Sequence, residues 1–203
     1  ESQMPGGRKR SLSLTKGLDK EAFIPVEELI IDNIIGQGFW GTVRLATWRE
    51  TQVAVKSIYR VMTNAKELSM FKSEIALLSK LRHPNIISFL GWSMRAYEDG
   101  KDMLLLVTEY MGGGNLHTLL QTDKEIFVRV PIMRENVVLD IVKGMTYLHA
   151  KKVLHRDLNA KNIFLDNHYR ATIGDFGLSR FTHQSSKMTA NIGFLVNMAP
   201  EIY

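Results

Sequence analysis

The chain has 203 residues, with 26 Lys and Arg against 21 Asp and Glu, a net charge of +5, and it is 45% hydrophobic and 23% charged. That balance is ordinary for a globular protein and excludes disorder over the whole length. Cysteine is absent, which excludes a disulfide framework and a thiolate zinc site and fits a reducing, intracellular compartment.

The longest wholly apolar run is 103–107, far short of a membrane span. No apolar stretch follows the early basic residues, so no signal peptide is expected and the chain reads as an excerpt of something longer. Residues 1–28 hold five basic and five acidic side chains, so the excess positive charge lies in the body. A modestly basic body suits a phosphate-bearing ligand. Nucleic acid is not indicated, because no stretch interleaves basic and aromatic residues.

In chain order, residues 1–26 read as a flexible linker, marked by Gly6-Gly7 and Arg8-Lys9-Arg10. Strands are predicted over 29–35, 42–48 and 52–59. A helix is predicted over 67–81, with Leu68, Phe71, Ile75 and Leu78 on one side and His83-Pro84-Asn85 as its stop. Strands follow at 86–92 and 103–110. Gly112-Gly113-Gly114 reads as a flexible break, after which helices at 116–120 and 134–151 dominate. The expectation is an α+β architecture, a small β-rich region with one helix before a mainly helical one, with the triple glycine at the joint.

Four groups of residues carry chemistry. Gly36-Gln37-Gly38-Phe39-Trp40-Gly41 is glycine-rich, and backbone without Cβ atoms can approach phosphates closely. A dinucleotide-binding turn needs a helix next. Here the strand Thr42-Val43-Arg44-Leu45 follows, which favours a hairpin lid over a nucleotide. No Gly-Lys-Ser or Gly-Lys-Thr ending exists, so a P-loop is excluded. In Val53-Ala54-Val55-Lys56 the strand period puts Ala54 and Lys56 on one face. A lysine on an inner face needs an anion. Helical spacing turns Glu74 inward with Phe71 and Leu78, so Lys56 and Glu74 answer each other. Finally, His155-Arg156-Asp157-Leu158-Asn159-Ala160-Lys161-Asn162, followed by Asp175-Phe176-Gly177, offers carboxylates and an amide that can hold magnesium and orient a hydroxyl.

These motifs, closed by Ala199-Pro200-Glu201, resemble a eukaryotic protein kinase catalytic domain from about residue 29 to 203. Asn162-Ile163-Phe164-Leu165 and Ile173-Gly174-Asp175-Phe176-Gly177-Leu178 most resemble the tyrosine-kinase-like, Raf-like branch. The resemblance implies a two-lobed fold, with a linker at 1–26, an N-terminal lobe at 27–111 and a C-terminal lobe at 112–203, incomplete just after Ala199-Pro200-Glu201. It implies ATP and Mg²⁺ as cofactors, a protein substrate, and a cytoplasmic location, including the cytoplasmic part of a larger protein. ATP would contact Ile35, Gly36, Gly38, Gly41, Val43, Ala54, Lys56 and Phe164, with Thr108 as gatekeeper and the backbone of Glu109 and Met111 on adenine. Lys56 would pair with Glu74, Asn162 and Asp175 would bind metal, and Asp157 would accept the substrate proton. Leu78, Phe89, His155 and Phe176 would form a hydrophobic spine. Ser185, Ser186 and Thr189 lie where an upstream kinase would act.

Three departures stand out. Asn159 replaces the lysine usual in Ser/Thr kinases, Lys161 replaces the arginine usual in tyrosine kinases, and Phe194 stands where a hydroxyl residue is usual. Lys161 would supply the missing cation. The reading is a Ser/Thr kinase, with tyrosine specificity as the alternative substrate class and a nucleotide-binding pseudokinase scaffold as the rival function. Without the helices that usually follow, the isolated chain is expected to be poorly soluble and inactive, because the apolar side chains Val137, Val138, Ile141, Met145 and Leu148 need partners.

Overall fold

A computed structural model describes residues 15–38, 41–57, 65–95, 103–177 and 180–181. The glycine-loop tip Phe39-Trp40, Ser185, Ser186, Thr189, Phe194 and Ala199-Pro200-Glu201 lie outside the described residues. The chain divides into two units. The first joins Phe89–Tyr110 to the chain up to Lys80, and the second joins Leu81–Ser88 to the chain from Met111.

The first unit is built on strands β1 (Leu29–Gly38), β2 (Gly41–Trp48), β3 (Thr51–Ser57), β4 (Phe89–Arg95) and β5 (Met103–Glu109), with helix α1 (Ala65–Leu78) between β3 and β4 in sequence. The five strands form one antiparallel sheet in the order β1-β2-β3-β5-β4. Period-two alternation sorts its faces. Val53 and Val55 are buried with Ile24, Leu29, Ala46, Met103, Leu105 and Val107 in one apolar cluster. Ala54 and Lys56, the intervening residues, are half-buried on the opposite face. The β2–β3 turn places Arg49 (φ 48°) and Glu50 (φ 64°) in the left-handed region without a glycine. That backbone matches the strand twist. Arg49 stacks over the Trp48 ring at 4.7 Å, and Glu28 accepts from Trp48 Nε1 at 2.9 Å.

Helix α1 buries Phe71, Glu74, Ile75, Leu77 and Leu78. It ends at Leu78, three residues short of expectation, in a turn closed by Ser79 and Lys80 amides on Ile75 and Leu77 carbonyls. The strand expected over 86–92 begins only at Phe89. Ile86 and Ile87 pair instead with Ile173 in the second unit, where the Ile87 amide donates to the Ile173 carbonyl at 2.9 Å.

The linker expectation fails for residues 18–24. Leu18 and Ile24 are buried, and the segment hydrogen-bonds to Trp92. Two apolar side chains spaced without a period suffice to anchor it.

The second unit carries helices α2 (Leu116–Thr122), α3 (Lys124–Arg129) and α4 (Pro131–Ala150), and strands β6 (Val153–Leu154), β7 (Ile163–Leu165), β8 (Ala171–Ile173) and β9 (Arg180–Phe181). Strand β6 pairs with β9 and β7 with β8. None of these strands was predicted, nor was α3. Helix α2 starts where Asn115 Oδ1 accepts from the Thr118 amide at 2.8 Å, a side-chain cap. Pro131 opens α4, where its missing N–H costs nothing. Helix α4 packs on β8, and Asp140 Oδ2 accepts from the Ala171 amide at 3.1 Å. The five α4 side chains expected to share one unpartnered face divide: Val137 and Leu148 are fully buried, whereas Val138 is 53% exposed.

The triple glycine is not a free break. Gly113 N–H donates to the Leu165 carbonyl at 2.9 Å, and the Gly114 carbonyl accepts from Leu165 N–H at 2.8 Å.

Candidate active site

In the first unit, Gly36 pairs with Val43 and Gly38 with Gly41, so the glycine motif links two paired antiparallel strands and is followed by a strand, not a helix. Gly41 has φ 149°, which a side chain rarely adopts. Ile35 lies in the register shift between Ile34 and Gly36 on β1 and is exposed, while Val43 and Ala54 are half-buried. Ala54 pairs with Thr108 and Val53 with Glu109. Thr108 Oγ1 lies 3.3 Å from the Glu109 carbonyl oxygen, to which it donates.

Lys56 Nζ lies 2.8 Å from Glu74 Oε1, and the two side chains are only 17% and 4% exposed. Both are positioned by regular structure, the strand period on β3 and the helical period on α1. A buried ion pair is a poor source of net stability, because desolvation offsets the attraction.

In the second unit, β6 leads into the loop that carries Asp157. Asp157 is held on both carboxylate oxygens by amides. Asn159 Nδ2 donates to Oδ1 at 3.1 Å and Asn162 Nδ2 to Oδ2 at 2.9 Å. The same two nitrogens also donate to the Asp157 carbonyl, at 3.0 and 2.8 Å. Asn159 caps the 3-10 turn Ala160–Asn162 by accepting from Lys161 N–H at 2.9 Å. Lys161 itself is exposed. The role of Asn159 as a holder of Asp157 was not foreseen; the signal was a capping residue two positions after the aspartate.

His155 is 2% exposed, and its Nε2 lies 3.0 Å from the Gly174 carbonyl. Nδ1 accepts from the Asp157 amide at 3.3 Å, so the neutral ring carries its proton on Nε2. Burial pushes the His155 pKa below its ordinary value, outweighing the Gly174 hydrogen bond and the charges of Asp175 and Asp157. The ring meets Phe176 edge-on at 5.0 Å, and Leu78 and Phe89, which the resemblance would place in a spine with them, are each buried within the first unit.

Arg156 (φ 68°) and Asp175 (φ 56°) both occupy the left-handed region. Such backbone costs about 1–3 kcal/mol per residue and clusters where function needs it. Phe164 is half-buried on β7, its ring against Gly174, where a Cβ would stand 2.8 Å from it. The Met111 carbonyl accepts from Gly114 N–H at 3.2 Å.

With this geometry in view, comparison with known proteins defines the class. The sequence profile described as protein tyrosine and serine/threonine kinase matches residues 29–203. The chain belongs to that family, and its relatives share the same class. It is 42% identical over 89% of its length to the dual specificity protein kinase splA of Dictyostelium discoideum, covering 8% of that protein. It is 41% identical over 84% of its length to the serine/threonine-protein kinase VIK of Arabidopsis thaliana, covering 39% of it. It is 34% identical over 93% of its length to the Arabidopsis serine/threonine-protein kinase STY17, covering 32% of it. The chain thus spans well under half of each relative. The tyrosine-kinase-like, Raf-like resemblance agrees with the two plant kinases. Among the described residues no helix is long and apolar enough to cross a membrane.

Proposed function

We propose that this domain transfers the γ-phosphoryl group of ATP to a protein hydroxyl, serine or threonine in preference to tyrosine. The observation that carries the reading is the buried Lys56–Glu74 pair at 2.8 Å. In this family such a pair aligns the α- and β-phosphates, and catalysis is positioning plus charge neutralisation. The two Arabidopsis relatives, both named serine/threonine-protein kinases, support the Ser/Thr preference.

The donor set fits a divalent cation, and Mg²⁺ is the one proposed. Asn162 commits its side-chain nitrogen to Asp157, so its amide oxygen is the atom that would ligate the ion. Asp175 adds a carboxylate, and all-oxygen ligation suits Mg²⁺. When bound, the ion neutralises phosphate charge. Asp157, held by the two amides, accepts the proton of the substrate hydroxyl. Lys161 supplies a cation in place of the lysine that Asn159 replaces. Ile35, the glycine motif, Val43, Ala54, Thr108, Glu109, Met111 and Phe164 shape the nucleotide site. Phosphorylation of Ser185, Ser186 or Thr189 by an upstream kinase would give Arg156 a phosphate partner. The domain works in a reducing, ATP-containing compartment, the cytoplasm.

Lys56, Glu74, Asp157, Asn162 and Asp175 are all present, so nothing favours the pseudokinase reading. The test is radiolabelled ATP with the full-length protein, followed by phosphoamino-acid analysis. Label in phosphoserine or phosphothreonine is the expected result. ATP-dependent thermal stabilisation without any transfer would establish the scaffold reading instead.

A further inference from the structure

Residues 15–24 were expected to be unstructured, yet Ala22 and Ile24 pair with Trp92 on one edge of the sheet. Strand β4 ends the strand order. The Trp92 amide donates to the Ala22 carbonyl at 2.9 Å, and the Trp92 carbonyl accepts from the Ile24 amide at 2.8 Å. Trp92 Nε1 donates to the Asp19 carbonyl at 2.6 Å, and the Phe23 ring lies 4.9 Å from the Trp92 ring. Gly91 is shaped by the same segment. A Cβ there would stand 2.6 Å from the Ala22 carbonyl oxygen and 2.6 Å from Ile24 Cδ1, and its three nearest neighbours all belong to residues 22 and 24.

The segment also reaches α1. Lys72 Nζ donates to the Lys16 carbonyl at 3.0 Å. A turn presents that carbonyl, with Gly17 at φ 89° and the Leu18 amide on the Thr15 carbonyl at 3.1 Å. Lys72 precedes Glu74 by two positions, about 200° around the helix, so the two point to opposite sides. The helix is held on one side through Glu74 to Lys56 and on the other through Lys72 to Lys16. A helix of 14 residues depends on such tertiary contacts, since helices of this length are marginal alone.

We propose that residues 15–24 form a strap that sets the position of α1, and that Lys72, Gly91 and Trp92 are positioning residues acting on the Lys56–Glu74 pair through it. The inference rests on the proposed role of that pair. Detachment of the strap lets α1 shift and the pair lengthen, so chain segments before the domain can control its turnover without touching nucleotide or substrate.

The test uses the full-length protein with Gly91→Val, which displaces the strap, and Lys72→Met, which removes its tether. Lys72→Arg is the conservative rescue. Hydrogen–deuterium exchange reads α1 directly, and phosphoryl transfer reads the consequence. Both disruptive variants should raise exchange across residues 71–78 while leaving β2 and β3 protected. Turnover should fall on the order of tenfold, the factor that loss of one strong hydrogen bond gives. Combined with Glu74→Gln, neither should add further loss, and Lys72→Arg should restore exchange and turnover. Unchanged exchange in α1 overturns the strap. So does raised exchange with normal turnover when Glu74→Gln is inactive. Raised exchange with a fully active Glu74→Gln leaves the strap standing and overturns the role given to Glu74.

Discussion

The backbone amide of Asp157 donates to Nδ1 of His155 at 3.3 Å, so a buried imidazole holds the main chain of the candidate catalytic aspartate. The contact needs a neutral ring, since protonation at Nδ1 would turn the acceptor into a donor. Burial supplies that neutrality by lowering the His155 pKa.

A pH dependence follows. The folded-state pKa of His155 lies below its ordinary value of 6.5, so the unfolded chain takes up the proton first. The contribution to stability is therefore complete above about pH 6.5 and declines as pH falls from there toward the lowered folded value. Thermal melting between pH 5 and 8, on the order of unit steps, should show this loss, and His155→Phe should flatten it. Turnover should fall together with stability on the acid side, because the proton and the Asp157 amide compete for Nδ1. An identical acid limb in wild type and His155→Phe would refute the account.

Lys56→Met should abolish phosphoryl transfer while the domain still folds. Glu74 is 4% exposed and would lose its 2.8 Å contact with Lys56, costing about 1–3 kcal/mol of stability. Melting curves and transfer assays on the same preparation separate the two effects. Near-normal turnover would remove Lys56 from the site.

Asp157→Asn keeps the shape of the loop and removes the proton acceptor. Turnover should fall by about 10²–10⁴-fold, the usual weight of general-base catalysis. ATP affinity, measured by calorimetry, should change little. Equal loss of binding and turnover would make the residue structural.

Asn159→Ala removes one of the two amides on the Asp157 carboxylate and the cap of the turn 160–162. One charge-assisted hydrogen bond is worth about 1.5–3 kcal/mol, so turnover should drop roughly tenfold or more. The Michaelis constant for ATP should hold, since Asn162 still donates to Oδ2. A raised constant with unchanged turnover would show that Asn159 serves nucleotide binding instead.

Local periodicity was enough to read β1, β2, β3 and β5 and the inward turn of Glu74, because alternation and helical spacing are properties of the chain itself. The spaced motifs were enough to read the family and the pairing of Lys56 with Glu74. Tertiary structure decided the rest. Strands β6 to β9 are two or three residues long, too short to carry a period, and exist because a partner strand supplies their hydrogen bonds. Ile86 and Ile87 look like the start of β4 by composition, but Ile173 offers the bonds that claim them. Residues 15–24 look like a linker until Trp92 and Lys72 are placed beside them. Asn159 differs from the family pattern on paper, and only the folded loop shows its amide on Asp157. In each case the deciding energy is a hydrogen bond or buried contact between residues far apart in sequence or out of register with any local repeat, and such a contact leaves no mark in the chain until it closes.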